Sequence, residues 1–502
     1  MTITAEKRNR RRVVSAGHPG LQAGRGPTWV IWALIAAAIV TIALMWVVPE
    51  REMIGGLAVV LMLILMFMKV PIAFALAIPG LLGLFTINGW RAVENLLTGA
   101  PYTAISNWSL SVLPMFILMG MLLGSSGITT RAYTAARLWL GWLPGGLAIG
   151  TNVAGAGLAA VSGSTIGITY ALGRVGIPEM LKRQYDPKLA IGSVVMAGLP
   201  GQLIPPSTFL IIVAGITGAA VGPQLIAGVL PGIALVLVVC VSILIYALIK
   251  PRWAGRAPEQ RATAKAADPT EYTFLDRVRS LGGVWPIAVL MIAIFGAMFG
   301  GVLTATEAGA LGAFVAVLLT LWFRRGDKPF GYIVEGAAQT VLSVGAIFFI
   351  LIGATILSHM VAVTRLGALF SDMILSLGLG RVGFLLVVMG IYIILGMFMD
   401  PLAILLLTIP VLQPSFEVLG IDVLWFGVFA VLMGELAILT PPVGMLTFIV
   451  HKMVQAKEVN LGQRISLKDV FMAVGLFFPA IIVLTMLMIF FPDFVTWLPS
   501  LM

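Results

Sequence analysis

Charge is scarce in this chain. Of its 502 residues only 10% are Asp, Glu, Lys or Arg, against 60% that are hydrophobic. A water-soluble fold needs a more polar exterior than that, so the chain reads as one integral membrane domain with no soluble domain attached. Cysteine is nearly absent. The single Cys240 excludes a disulfide framework and a cysteine metal cluster, and its apolar surroundings make it a small core residue. The three histidines, His18, His359 and His451, are too scattered to suggest a site. Neither a His-Glu-x-x-His zinc motif nor a Gly-x-x-x-x-Gly-Lys-Ser/Thr phosphate loop occurs, so an enzyme reading finds little support and ATP is not the energy source.

What is there is apolar sequence in lengths that suit a bilayer, about 20 residues per crossing. Full crossings are expected near 29–48, 53–68, 71–87, 108–124, 189–222, 226–249, 284–303, 307–323, 339–360, 423–452 and 469–492. Segments 146–172 and 381–412 are expected to be re-entrant hairpins that enter and leave by one face. With the N-terminus in the cytoplasm, all but four of the 31 Lys and Arg fall on the cytoplasmic side; the exceptions are Arg51, Arg91, Arg365 and Arg381. The net charge of +10 therefore sets orientation and does not point to a nucleic-acid partner. The same count supports the hairpins, because making either one a single crossing inverts everything after it. The basic tail 1–28 precedes a run, 29–52, that is long and lacks a small-residue cleavage site, so it is read as a retained additional helix.

Two stretches break in the same way. Ser162, Gly163, Ser164 and Thr165 are followed by Gly201-Gln-Leu-Ile-Pro205-Pro206-Ser207. Gly396-Met-Phe-Met-Asp400-Pro is followed by Leu439-Thr440-Pro441-Pro442-Val-Gly444. Lipid offers no hydrogen bonds, so broken backbone at membrane depth survives only within protein or beside a polar cavity. Matched Gly/Pro-interrupted segments in two halves point to the binding site of a secondary transporter. Phe116-Ile-Leu-Met-Gly120 resembles Phe349-Ile-Leu-Ile-Gly353, and each half keeps one order of elements. The halves 53–249 and 284–502 start on opposite faces, which makes them inverted repeats joined by a cytoplasmic linker, 250–283, that need not fold strongly. The fold class is thus all-α integral membrane, with two inverted-topology repeats, two re-entrant helical hairpins and two broken helices. Interfacial connectors at 129–143 and 361–378 would link moving parts to fixed ones, while the short loops 88–107 and 413–422 lie outside.

The hydroxyls of Ser162, Ser164 and Thr165, set beside carbonyls without helical partners, suit a hard cation such as sodium. Taken alone, the same small residues favour close helix packing in lipid over an ion site; the second tip and the matching breaks reverse that order. Asp400 either contacts ion or substrate or caps the tip of its hairpin. A second sodium position is expected near Asp400 and Thr440. Glu435, deep in an apolar helix, reads as an internal hydrogen-bonding group, and Thr304 with Glu307 fits a capping box.

Together, Ser162-Gly-Ser-Thr165, Pro178-Glu-Met with Tyr185-Asp-Pro, Leu203-Ile-Pro-Pro-Ser207, Thr306-Glu-Ala, Gly396-Met-Phe-Met-Asp400 and Leu439-Thr-Pro-Pro-Val-Gly444 resemble the large membrane subunit of tripartite ATP-independent periplasmic (TRAP) transporters over about 53–502. The resemblance implies sodium-coupled import of an organic acid by an elevator motion in the bacterial inner membrane, with the C-terminus periplasmic. It also implies a small four-helix membrane subunit and a periplasmic binding protein as partners. No cofactor is expected beyond Na+ as coupling ion. Three positions depart from the family pattern: Met445-Leu446 after Gly444, Met433, and Gly198-Leu-Pro-Gly201 at the first break. They remove amide and hydroxyl groups near the second tip and both breaks. A stand-alone dicarboxylate/sodium symporter and, from another class, a channel are the alternatives.

Overall fold

The computed structural model describes residues 28–257, 260, 273–442 and 444–502. The basic tail up to residue 27, the middle of the central linker and Val443 lie outside the described residues, and so do the expectations placed on them. Among the described residues the only regular secondary structure is helical, and extended backbone pairs in a single bridge between Tyr185 and Ala254.

Among the described residues, six helical stretches are long and apolar enough to cross a membrane: Trp29–Val47, Trp108–Ser125, Val221–Ile249, Ala305–Phe323, Pro329–Val363 and Leu467–Phe490. Shorter apolar helices, including Ile72–Asn88, Thr208–Thr217 and Val423–Ala437, fill the space between them. Burial sorts these by role. Thr28–Val47 is apolar all round, yet most of it is exposed, as suits a helix facing lipid. Val423–Ala437 is equally apolar, but each residue from Trp425 to Ala437 is buried. That helix is the centre of the molecule. It carries three of the bulkiest wholly buried side chains, Trp425, Phe426 and Phe429, and others of that size are Tyr392, Phe384 and Phe416. Trp425 stacks on Phe429 at 5.2 Å and donates its indole N–H to the carbonyl of Met488 at 3.1 Å, which satisfies its one polar atom.

Local signals explain several helix starts. Thr304 and Glu307 form the expected capping box, the Glu307 carboxylate accepting from the Thr304 backbone at 2.8 Å. Asp186, with Pro187 at the first helical position, opens Pro187–Gly198. Asp422 caps Val423–Ala437 by accepting from the Trp425 N–H at 2.9 Å.

Four expectations are altered. The span expected at 339–360 is part of one 35-residue helix, Pro329–Val363, because Pro329 starts it early and no breaker intervenes. At 1.5 Å per residue it is roughly 52 Å long, well beyond a hydrocarbon core of about 30 Å. The loop expected at 88–107 is the helix Trp90–Ile105, which buries Val93, Ala100 and Ala104 on one face. The second arm of the first hairpin runs on to Lys182, not 172, since Arg174 and Lys182 point outward and Glu179 is held by Arg137 at 3.1 Å and Arg183 at 3.3 Å. The beginning of the linker is ordered against the body: Asp186 N–H donates to the Trp253 carbonyl at 2.9 Å, and Arg256 reaches the carbonyls of Trp142 and Leu143. Cys240 is half-buried and accepts from the Asn152 amide at 3.2 Å.

Candidate functional site

The first hairpin joins Gly146–Ser162 to Thr165–Lys182 through two residues. Such a turn needs a left-handed residue, and Gly163 supplies it at φ +58° without the Cβ penalty. Ser164 then caps the second arm, its hydroxyl accepting from the Gly167 N–H at 3.1 Å. The hydroxyl of Ser162 remains at the end of the first arm, directed at the Ala159 carbonyl at 3.5 Å. Ser162, Gly163 and Ser164 are half-buried and Thr165 is buried.

The first broken helix runs as Pro187–Gly198, a tight turn over Leu199–Gln202, an irregular stretch, and Thr208–Thr217. The Pro205–Pro206 peptide bond is cis. Ser207 closes the break from both sides, donating its hydroxyl to the Gln202 carbonyl and accepting from the Leu210 N–H at 3.1 Å. Gly201 lies so near the first hairpin that a Cβ there would sit 2.6 Å from the carbonyl carbon of Ala159. Gln202 carries the join further: its side-chain N–H donates to the Gly163 carbonyl at 2.7 Å. Its side-chain oxygen is buried and has no partner among the described residues. Hairpin tip and helix break therefore form one polar knot.

The second half repeats this local plan with other chemistry. Arg381–Gly396 and Pro401–Leu412 are joined over 397–400. Asp400 is half-buried, and one carboxylate oxygen accepts from the Leu402 N–H at 3.0 Å and the Ala403 N–H at 3.2 Å. It is an N-cap, with Pro401 at the first helical position. Both of these bonds are made by one of the two carboxylate oxygens. The second broken helix, Val423–Ala437 then Met445–Val454, also carries a cis bond, at Pro441–Pro442. Thr440 is buried and donates back to the Leu436 carbonyl at 3.0 Å; Pro441 and Pro442 are exposed. Gly444 adopts φ +45° before the helix restarts, and the Leu446 N–H bridges the break to the Ile438 carbonyl at 3.3 Å.

Glu435 is where the halves meet. Its carboxylate accepts from the Thr165 hydroxyl at 2.8 Å, a bond between the first hairpin tip and the second broken helix. One residue earlier, a Cβ on Gly434 would lie 3.2 Å from Pro401, and one on Gly396 would run into Ala437. Both hairpin tips thus abut residues 434–437, one turn of a single buried helix. The first tip, Ser162 to Thr165, meets the first break through Gly201, Gln202 and Pro206, while the second tip reaches the same turn through Pro401, the neighbour of Asp400; Thr440, Pro441, Pro442 and Gly444 follow that turn along the chain. Glu435 and Gln202 are the residues whose place in this arrangement sequence reasoning undervalued. The signal for both was a polar group in an otherwise apolar run.

Each tip and each break sets the C-terminal end of one helix beside the N-terminal end of the next. The opposite ends of two helix dipoles, with backbone groups that fall outside the regular helical ladder, then lie in one region. Among the described residues no group of three or more His, Cys, Asp or Glu side chains could hold a metal ion.

The chain is similar in sequence to several large permease proteins of TRAP transporters. The C4-dicarboxylate TRAP transporter large permease protein DctM of Vibrio cholerae is 29% identical over 474 residues, covering 89% of this chain and 98% of its own. The protein of that name from Pseudomonas aeruginosa is 32% identical over 352 residues, covering 68% and 77%. The sialic acid TRAP transporter large permease protein SiaM of Vibrio cholerae is 28% identical over 440 residues, covering 87% and 96%. In fold, the chain is similar to the Alcanivorax borkumensis YdaH transporter, with a TM-score of 0.54, 16% identity and coverage of 82% and 88%. The family described as the tripartite ATP-independent periplasmic transporter, DctM component, matches residues 59–494, and this chain belongs to it.

Proposed function

We propose that this chain is the translocating subunit of a sodium-coupled importer of an organic acid, which a periplasmic binding protein delivers and a small four-helix membrane subunit helps to anchor. The observation that carries the reading is the convergence of both hairpin tips on residues 434–437. Helix ends with free carbonyls favour a cation there, and helix ends with free N–H groups favour a carboxylate. An anion and its coupling cation would then bind side by side at little electrostatic cost. Relatives named for C4-dicarboxylates and for sialic acid both carry acids, which supports the substrate class.

The two halves act as inverted copies. Each offers a hairpin followed by a broken helix, and inverted copies provide two end states of similar energy, one open to each side. The block made of both hairpins and both broken helices moves as an elevator. Ile128–Leu140 and Leu366–Ser376 serve as arms, the first tied to the hairpin by the Arg137–Glu179 pair. The chain sits in the bacterial inner membrane with its N-terminus cytoplasmic and its C-terminus periplasmic. Uptake into proteoliposomes under sodium, potassium or proton gradients alone tests the coupling ion. Only the sodium gradient should drive it, and Ser162→Ala with Ser164→Ala should raise the half-saturating sodium concentration more than that of the substrate. Equal uptake under all three gradients removes the sodium assignment.

A further inference from the structure

We propose that a groove between the arm helix Ile128–Leu140, the first hairpin and the helix Trp285–Phe299 is a binding site for one anionic membrane phospholipid. Its inner part is an apolar cavity of about 550 Å³, walled by Trp139, Val153, Gly157, Ile204, Val284 and Met291 among others. Its mouth is a polar space of about 430 Å³ lined by Arg131, Thr134, Arg279, Ser280, Gly282 and Gly283. The two spaces are walled by alternating residues of the same segments, 131–140 and 279–291, so one adjoins the other. Apolar depth with a basic mouth is the shape of an acyl chain joined to a phosphate.

Three features place the mouth at headgroup depth. The helix Phe274–Leu281 exposes Phe274, Leu275, Val278 and Leu281 while carrying Arg277 and Arg279, the composition of a helix lying in the interface. The Trp139 indole, whose ring lines the cavity, donates to the carbonyl of Arg277 at 3.0 Å, as a tryptophan at the membrane surface does. Arg131 packs its methylene stem against Gly283 and lies over the Phe323 ring at 4.6 Å, which fixes the direction of its side chain. Two exposed guanidiniums at one mouth favour a phosphate, and a headgroup of net negative charge over a zwitterionic one. A free anion does not account for the apolar chamber behind them. The occupant we assign is therefore a lipid.

The test is native mass spectrometry of the full chain, purified in detergent and offered phosphatidylglycerol or phosphatidylcholine with the same acyl chains. Wild type should retain one phosphatidylglycerol in preference. Arg131→Ala with Arg279→Ala should lower that retention by about tenfold, the equivalent of one lost charge-assisted hydrogen bond. Gly157→Leu should abolish it with both arginines in place, because Gly157 faces open space and a side chain there fills the cavity without a backbone clash. If the double variant fails to fold, Gly157→Leu decides. Equal retention of the two lipids overturns the proposal. So does unchanged retention in Gly157→Leu, which leaves only a surface ion contact, and so does displacement of the lipid by inorganic phosphate at millimolar concentration. Retention of neither lipid by the chain alone also overturns it and assigns the groove to a protein partner.

Discussion

Thr165→Val removes one hydroxyl and almost no volume, and the structure says what that hydroxyl does. It is the donor to Glu435 at 2.8 Å, and Glu435 is only 1% exposed, so water does not replace the lost partner. Leaving a buried acceptor unsatisfied costs about 1–3 kcal/mol, with bonds to charged groups at the upper end. The same bond joins the first hairpin to the second broken helix, so its loss should loosen the turn at 434–437 and weaken cation binding there. The assay is a double-mutant cycle of Thr165→Val and Glu435→Met, each of which removes one side of the bond, with denaturant midpoints of the detergent-solubilised protein and the half-saturating sodium concentration for uptake as readouts. A coupling energy of about 1–2 kcal/mol between the two positions is expected, and Thr165→Val alone should raise the half-saturating sodium concentration about tenfold. Additive effects, with no coupling in either readout, would refute the reasoning: the two side chains would then be neighbours that do not depend on each other.

Other expectations follow from the same geometry. Asp400→Asn keeps a capping oxygen for Leu402 and Ala403, so stability should change by only a few tenths of a kcal/mol, while uptake should fall strongly if the second oxygen meets ion or substrate; near wild-type uptake in a well-folded variant assigns Asp400 to capping alone. Gly201→Ala places a Cβ against the Ala159 backbone and should cost about 1–3 kcal/mol, whereas Gly157→Ala, which meets nothing within 4 Å, should leave the denaturant midpoint unchanged or raise it. Cysteines placed in turn at Ser162 and Phe398, after Cys240→Ala, should change labelling in opposite directions when sodium and substrate are added; fixed labelling at both would remove the elevator motion.

How much of this was legible in the sequence depended on the kind of signal. The breaks were legible because Pro205-Pro206 and Pro441-Pro442 cannot continue a helix, and Gly163 marks a turn that only a residue tolerant of positive φ makes easily. The box at Thr304 and Glu307 was legible because capping is local. Helix ends without such punctuation were not. Pro329–Val363 outran its apolar core, and Thr165–Lys182 continued past Arg174 because a helix in contact with water at one end tolerates charge. Trp90–Ile105 was hidden by polar composition, although its buried residues fall on one face. Least legible were contacts between the halves. Nothing local to Thr165 or Glu435 names the other across 270 residues, and Glu179 gave no sign that it would tie the hairpin to the arm through Arg137.

The central claim is that this chain translocates what a periplasmic partner hands over. The most direct measurement is uptake into proteoliposomes holding this chain and its small membrane subunit, under a sodium gradient, with and without the cognate binding protein loaded with its organic acid. The account predicts uptake only when loaded binding protein and sodium gradient are both present. Robust uptake of the free acid without the binding protein would contradict it and make the chain a stand-alone symporter.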